Sequence, residues 1–135
     1  MDEHSRGRER LREVHGDDAL STVEGLGDLG RLVIETAYGK VYSRPGLSLR
    51  ERQLVAVASL TGTGRTPQLA QHLKSSLRAG VSVDELREVI IETAIIAGFP
   101  VAMSAWAQLE KARTEYEREL RDKYDVRPQH SDTRA

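Results

Sequence analysis

Two serine capping boxes and one threonine–proline start punctuate the middle of this chain and commit it to helices. Ser48-Leu49-Arg50-Glu51 and Ser82-Val83-Asp84-Glu85 each put a serine hydroxyl where it accepts from the amide three residues on, while the glutamate caps in return. Thr66-Pro67 offers a cap followed by proline at the first helical position, where no amide proton is needed. Gly80 and Gly98 stand where two of these helices should stop. Together these signals predict helices over 48–62, 66–79 and 83–97.

The flanking segments extend the pattern. Upstream, Leu26, Leu29, Leu32, Val33, Thr36 and Ala37 fall at a spacing compatible with one helical face, and Pro45-Gly46 ends the run. Downstream, Ala102, Trp106, Leu109, Ala112, Tyr116 and Leu120 recur every three or four residues, which predicts a long final helix with a charged outer face. No alternating strand pattern and no internal repeat interrupts them. The expectation is an all-α chain of 135 residues with one core, burying roughly two-thirds of its unfolded surface. We expect one domain over 1–126 and a frayed tail over 127–135.

Charge and composition narrow the partners. The net charge is −1, so no basic footprint points to nucleic acid or an anionic membrane surface. The first fifteen residues are charged and contain no apolar segment of signal-peptide type. The uncharged stretch from Thr93 to Gln108 contains Gly98 and Pro100 and is too short to span a bilayer. A soluble cytoplasmic protein is expected. There are no cysteines, which excludes disulfides, thiolate metal sites and thiol redox chemistry.

Two of the helices are more apolar than a small monomer needs. Leu54 to Leu60 is apolar on every side except at Ser59, and Ile90, Ile91, Ile95 and Ile96 spread around their helix. A helix that is apolar all round must be covered all round, which predicts homo-oligomerisation.

The candidate chemistry is sparse. On the 66–79 helix, Leu69, Ala70, Leu73 and Leu77 form the expected buried stripe and Gln71, Lys74, Ser75 and Arg78 the wet face. His72 falls on the edge between them, beside Ser76 and Ala79. That edge suits a proton donor facing a cleft, and equally a boundary histidine bonded to a carbonyl. His4, His15 and His130 fall in expected tails or termini, and no histidine spacing suggests a metal site. "TGTGRT" lacks a dinucleotide fingerprint and a phosphate-loop lysine and reads as a helix-ending turn. Glu85, Glu88 and Glu92 read as a solvated acidic face.

The segments "AYGKVYSRPGLSLRERQLVAVASL" and "GRTPQLAQHLKSSLRAGVSVDELREVIIETAIIAGFPVAMSAW", with the earlier "REVHGDDAL", resemble the carboxymuconolactone decarboxylase family from about Arg10 through Lys111. The resemblance implies an alkylhydroperoxidase D-like bundle of about six helices, assembled as a homohexamer. In the peroxidase branch a Cys-x-x-Cys pair precedes the histidine and a glutamate serves as relay. Here Arg65 and Gln68 occupy the cysteine positions and Gln53 the glutamate position, so thiol peroxidase chemistry is excluded.

The decarboxylase branch carries arginine and histidine at the places of Arg65 and His72, and the Arg-Pro-Gly segment seen here as Arg44, Pro45 and Gly46. The resemblance implies loss of carbon dioxide from 4-carboxymuconolactone in aromatic catabolism, with no cofactor and no metal. His72 is then the proton donor, titrating near neutrality, and Arg65 a cation beside the developing dienolate. Arg44 is expected to hold a substrate carboxylate, and Tyr42 to line the pocket in place of a tryptophan. Lys40, Gly64 and Met103 replace an acidic residue and two asparagines of the decarboxylases, removing hydrogen bonds that would orient a dicarboxylate. A related lyase or isomerase with another substrate, and a non-catalytic oligomeric binding protein, therefore stand as alternatives.

Overall fold

A computed structural model describes residues 1–124; the expected tail over 127–135, with His130, lies outside the described residues. The described chain is all-helical. It runs α1 (Glu3–His15), α2 (Asp17–Glu24) and α3 (Asp28–Leu32), which continues into a π-helical segment (Val33–Val41), then α4 (Leu49–Gly62), α5 (Thr66–Arg78), α6 (Val83–Ala97) and α7 (Phe99–Tyr124).

Both capping boxes form with serine and glutamate bonds reciprocated, and α4, α5 and α6 begin and end within one residue of their expected limits. Proline sits in the first turn of α5. Gly64, Gly80 and Gly98 all adopt positive φ, so the departure at Gly64 concerns the backbone first: a left-handed turn admits glycine or asparagine at little cost.

The described residues contain seven α-helices and a π segment where about six helices were expected, because α1 and α2 were not anticipated. Nor is there one core. Val57, Leu73, Leu86, Ile90 and Leu109 belong to a cluster built by α4 to α7, and Leu11, Val14, Leu20, Ile34 and Tyr38 to a second cluster under α1, α2 and the π segment. The second cluster depends on close backbone approach. Any Cβ on Gly7 would collide with the Ile34 carbonyl, and one on Gly39 with the Glu3 carbonyl.

The upstream stripe is also corrected. Leu26, Leu29 and Leu32 are exposed and the buried positions are Gly30, Ile34 and Tyr38, because the Gly25–Gly27 turn and the widened π helix rotate the face that a regular helix would have buried. The excess of apolar residues on α6 does reach the surface. Ile95 and Ile96 are 75% and 80% exposed, beside exposed Phe99 and Met103 at the start of α7. A concavity of about 660 Å3 lined by Leu54, Val55, Val89 and Ile96 continues this face. Trp106 is partly exposed, with the Arg87 guanidinium over its ring at 5.6 Å. Among the described residues no helix is long and apolar enough to cross a membrane.

Candidate active site

His72 lies at mid-length on α5, half-buried, where the two clusters meet. Its Nδ1 is 3.0 Å from Oε1 of Gln53 on α4. Gln53 is 1% exposed, so its amide is packed rigidly and fixes the imidazole from below. One turn on, the Ser76 hydroxyl donates to the His72 carbonyl at 2.6 Å.

The other wall of the site comes from α1, and sequence reasoning missed it. His15, assigned above to a terminus, is the last residue of α1 and is 7% exposed. Its ring meets that of His72 edge to face, with centroids 4.6 Å apart and planes at 87°. Its Nδ1 is 2.5 Å from the Ser75 hydroxyl. Ser75 is therefore buried and not on a wet face, because α1 covers that side of α5. Tyr38 of the π segment packs its ring at 80° to His15, and Tyr42 stacks on Tyr38 at 5.0 Å. A signal for His15 was present: Gly7, Leu11, Val14 and His15 fall on one face of a helix, and all are buried. The many charges around them masked that period.

Both imidazoles are neutral at pH 7. Burial lowers His72 to about 4. Burial, then the charges of His72 and Arg78, lower His15 to about 3. The expectation of a His72 titrating near neutrality is thus corrected for the unliganded protein: desolvation disfavours the imidazolium, and no carboxylate stands beside it. Burial raises the Tyr38 phenol well above its ordinary value. It also raises Tyr42, against the opposing charge of Arg52.

The two arginines singled out in the sequence, Arg65 and Arg44, are exposed. Arg65 is exposed at the N-cap of α5. Seven residues before His72, it shares that helix face about 10 Å away along the axis. Arg44 is exposed in the loop after the π segment, and its carbonyl accepts from Arg52 at 2.8 Å. Among the described residues neither guanidinium forms an ion pair, whereas most other arginines do. Met103 is exposed on the apolar face, and Lys40 pairs with Glu3 at 3.6 Å. A cavity of about 450 Å3 opens beside His15, lined also by Asp18, Thr22, Ala70, Lys74 and Arg78; His72 is not part of its lining. Glu119 also lines it, bonded to Lys74 at 2.8 Å and to Arg78 at 3.0 Å. No three acidic or histidine side chains among the described residues lie close enough to hold a metal ion.

The model of the Carboxymuconolactone decarboxylase family matches residues 27–111. This chain belongs to the carboxymuconolactone decarboxylase family. A 4-carboxymuconolactone decarboxylase of Acinetobacter baylyi is 34% identical over 113 residues, covering 80% of this chain and 84% of that protein. A nitrosuccinic acid decarboxylase of Metarhizium robertsii is 30% identical over 80 residues, or 59% of this chain and 56% of that protein. An uncharacterised 15.0 kDa protein of Paracoccus denitrificans is 30% identical over 89 residues, 64% of each chain. His72, Gln53, Arg65, Arg44 and Tyr42 all lie inside the stretch that defines the carboxymuconolactone decarboxylase family, and His15 lies before it.

Proposed function

We propose that this protein is a cofactor-independent carboxy-lyase acting on 4-carboxymuconolactone or a related lactone acid, in the catabolism of aromatic compounds. The observation that carries this reading is His72, held through Nδ1 by Gln53 with its other nitrogen unused among the described residues, and packed edge to face on His15, which lines a cavity of substrate size. A relative aligned along most of its length carries the name of that activity.

Carbon dioxide can leave without a cofactor only where the electron pair left behind finds an oxygen within the substrate. A butenolide provides one through its lactone carbonyl, and a nitro acid through its nitro group, so both named relatives fit one requirement. The protein then has two tasks: to stabilise the developing oxyanion and to deliver one proton to carbon. His72 carries the proton. With its pKa held at about 4, it is loaded only once a bound carboxylate supplies counter-charge, so proton uptake is coupled to substrate binding. Arg65 and Arg44, which form no ion pair among the described residues and do not line that cavity, are the proposed substrate-binding cations, and Tyr42 the proposed pocket residue. Homohexamer assembly through the exposed face of Ile95, Ile96, Phe99 and Met103 completes the proposal.

The test is turnover. Purified protein given 4-carboxymuconolactone generated in place should release carbon dioxide and form the enol-lactone, and His72→Gln should lose at least 100-fold in kcat, roughly the contribution of a general acid, with assembly intact. Full turnover by His72→Gln refutes the role of His72. No turnover by an intact wild-type oligomer refutes this substrate.

A further inference from the structure

Among the described residues, His15 and Ser75 are the buried side-chain pair that the proposed reaction does not yet use. They lie sixty residues apart in the chain and meet at 2.5 Å. The Ser75 hydroxyl has no other hydrogen-bond partner among the described residues; the i−4 carbonyl bond on this helix is made by its neighbour Ser76. A single bond satisfies both groups only if Ser75 O–H donates to His15 Nδ1, which places the imidazole proton on Nε2. Across the ring contact the bond has the opposite sense. The Gln53 oxygen only accepts, so His72 carries its proton on Nδ1 and leaves Nε2 bare. Two perpendicular imidazoles with centroids 4.6 Å apart are thus held in opposite tautomers, one presenting a donor and the other an acceptor.

We propose that His15 is a second catalytic histidine of this site, which Ser75 holds as a neutral Nε2–H donor to the oxyanion that forms as carbon dioxide leaves. The assignment rests on the decarboxylase reading and deepens it. His15 lines the cavity from α1, with the His72 ring packed edge to face against its own. A histidine kept far from protonation donates a hydrogen bond without adding a charge that would bind the ground-state carboxylate tightly, and its value appears as the oxyanion develops.

The step balances. The bond between the ring carbon and the carboxylate carbon breaks, and carbon dioxide departs. The bonding pair moves through the conjugated system onto the lactone carbonyl oxygen, which accepts from His15 Nε2–H. A proton taken from solvent by His72 Nε2 passes to carbon, the carbonyl re-forms, and both histidines return to their starting tautomers.

The first experiment is long-range 1H–15N correlation on labelled wild-type protein at pH 7, which reads each ring's tautomer directly. The expected result is His15 protonated on Nε2 and His72 on Nδ1, both neutral. Titration with the freshly prepared nitronate of 3-nitropropionate, a delocalised oxyanion bearing a carboxylate that reprotonates slowly at this pH, should then shift the His15 Hε2 resonance downfield. Its affinity should fall at least tenfold in His15→Leu and less in His15→Gln, which retains an N–H. In turnover of 4-carboxymuconolactone, His15→Leu should lose about 100- to 1000-fold in kcat, as for one oxyanion-hole donor, with KM little changed. His15→Gln should recover at least a tenth of the wild-type rate, and Ser75→Ala should fall with His15→Leu as the tautomer is released.

A His15 found protonated on Nδ1, a nitronate that leaves its resonance unmoved, or equal kcat in wild type and a folded His15→Leu overturns the proposal. If the nitronate binds at His15 while the lactone is not turned over, the donor stands and the choice of substrate fails.

Discussion

Lowering the pH from 7 to 5 should destabilise this protein by about 4 kcal/mol, most of it through two histidines. His72 and His15 are held at about 4 and about 3 in the folded chain and return to about 6.5 when it unfolds. Each is a base with a depressed folded pKa, so its contribution to stability is complete above pH 6.5 and is lost as pH falls toward the folded value. Between these limits the unfolded chain binds nearly two more protons than the native one. Stability then drops by about 2.5 kcal/mol per pH unit near pH 5. The lowered carboxylates Asp2, Glu51, Glu110 and Glu119 add their own losses mainly at lower pH. Against a typical total of about 5–15 kcal/mol, the histidine loss brings the fold close to its limit. Urea unfolding followed by circular dichroism at fixed protein concentration should show the midpoint falling by about 2 M between pH 7 and pH 5. A His15→Gln/His72→Gln double variant should lose less than half as much. A wild-type loss below about 1 kcal/mol, or an equal loss in the double variant, refutes the buried neutral pair.

Gly7→Ala forces a methyl group into the Ile34 carbonyl and should lower Tm by roughly 5–10 °C, an overpacking cost of about 1–3 kcal/mol; differential scanning calorimetry with Gly16→Ala, whose Cβ would meet open space, separates crowding from strain at a positive φ. Ile95→Lys adds a charge to an exposed apolar face and, on the proposed assembly through that face, should leave helical content unchanged while light scattering shows a smaller particle than the wild type; an unchanged mass refutes assembly through that face.

The helices α4, α5 and α6 were legible because their signals are local. A capping box is satisfied within four residues and a helix-ending glycine within one, so Ser48, Glu51, Ser82, Glu85 and Gly98 specify the same geometry whatever surrounds them. The family pattern likewise marked His72, Gln53, Arg65, Arg44 and Tyr42 from their order along the chain. It did not determine how they meet. Arg65 and Arg44 extend into solvent while His72 sits on Gln53.

What only the tertiary structure decided concerns the far side of α5. Ser75 projects onto a polar face of its own helix, and nothing within a turn of it says otherwise. It is buried because α1 crosses there, and α1 is held in place by close backbone approach, Gly7 against Ile34 and Glu3 against Gly39, to a π-helical segment whose widened turn the sequence period did not announce. Likewise the depressed pKa values of His15 and His72 come from burial among groups far apart in sequence. Local patterning selects the helices, and burial between them selects the chemistry, because desolvation is a property of the packed assembly and not of any stretch of chain.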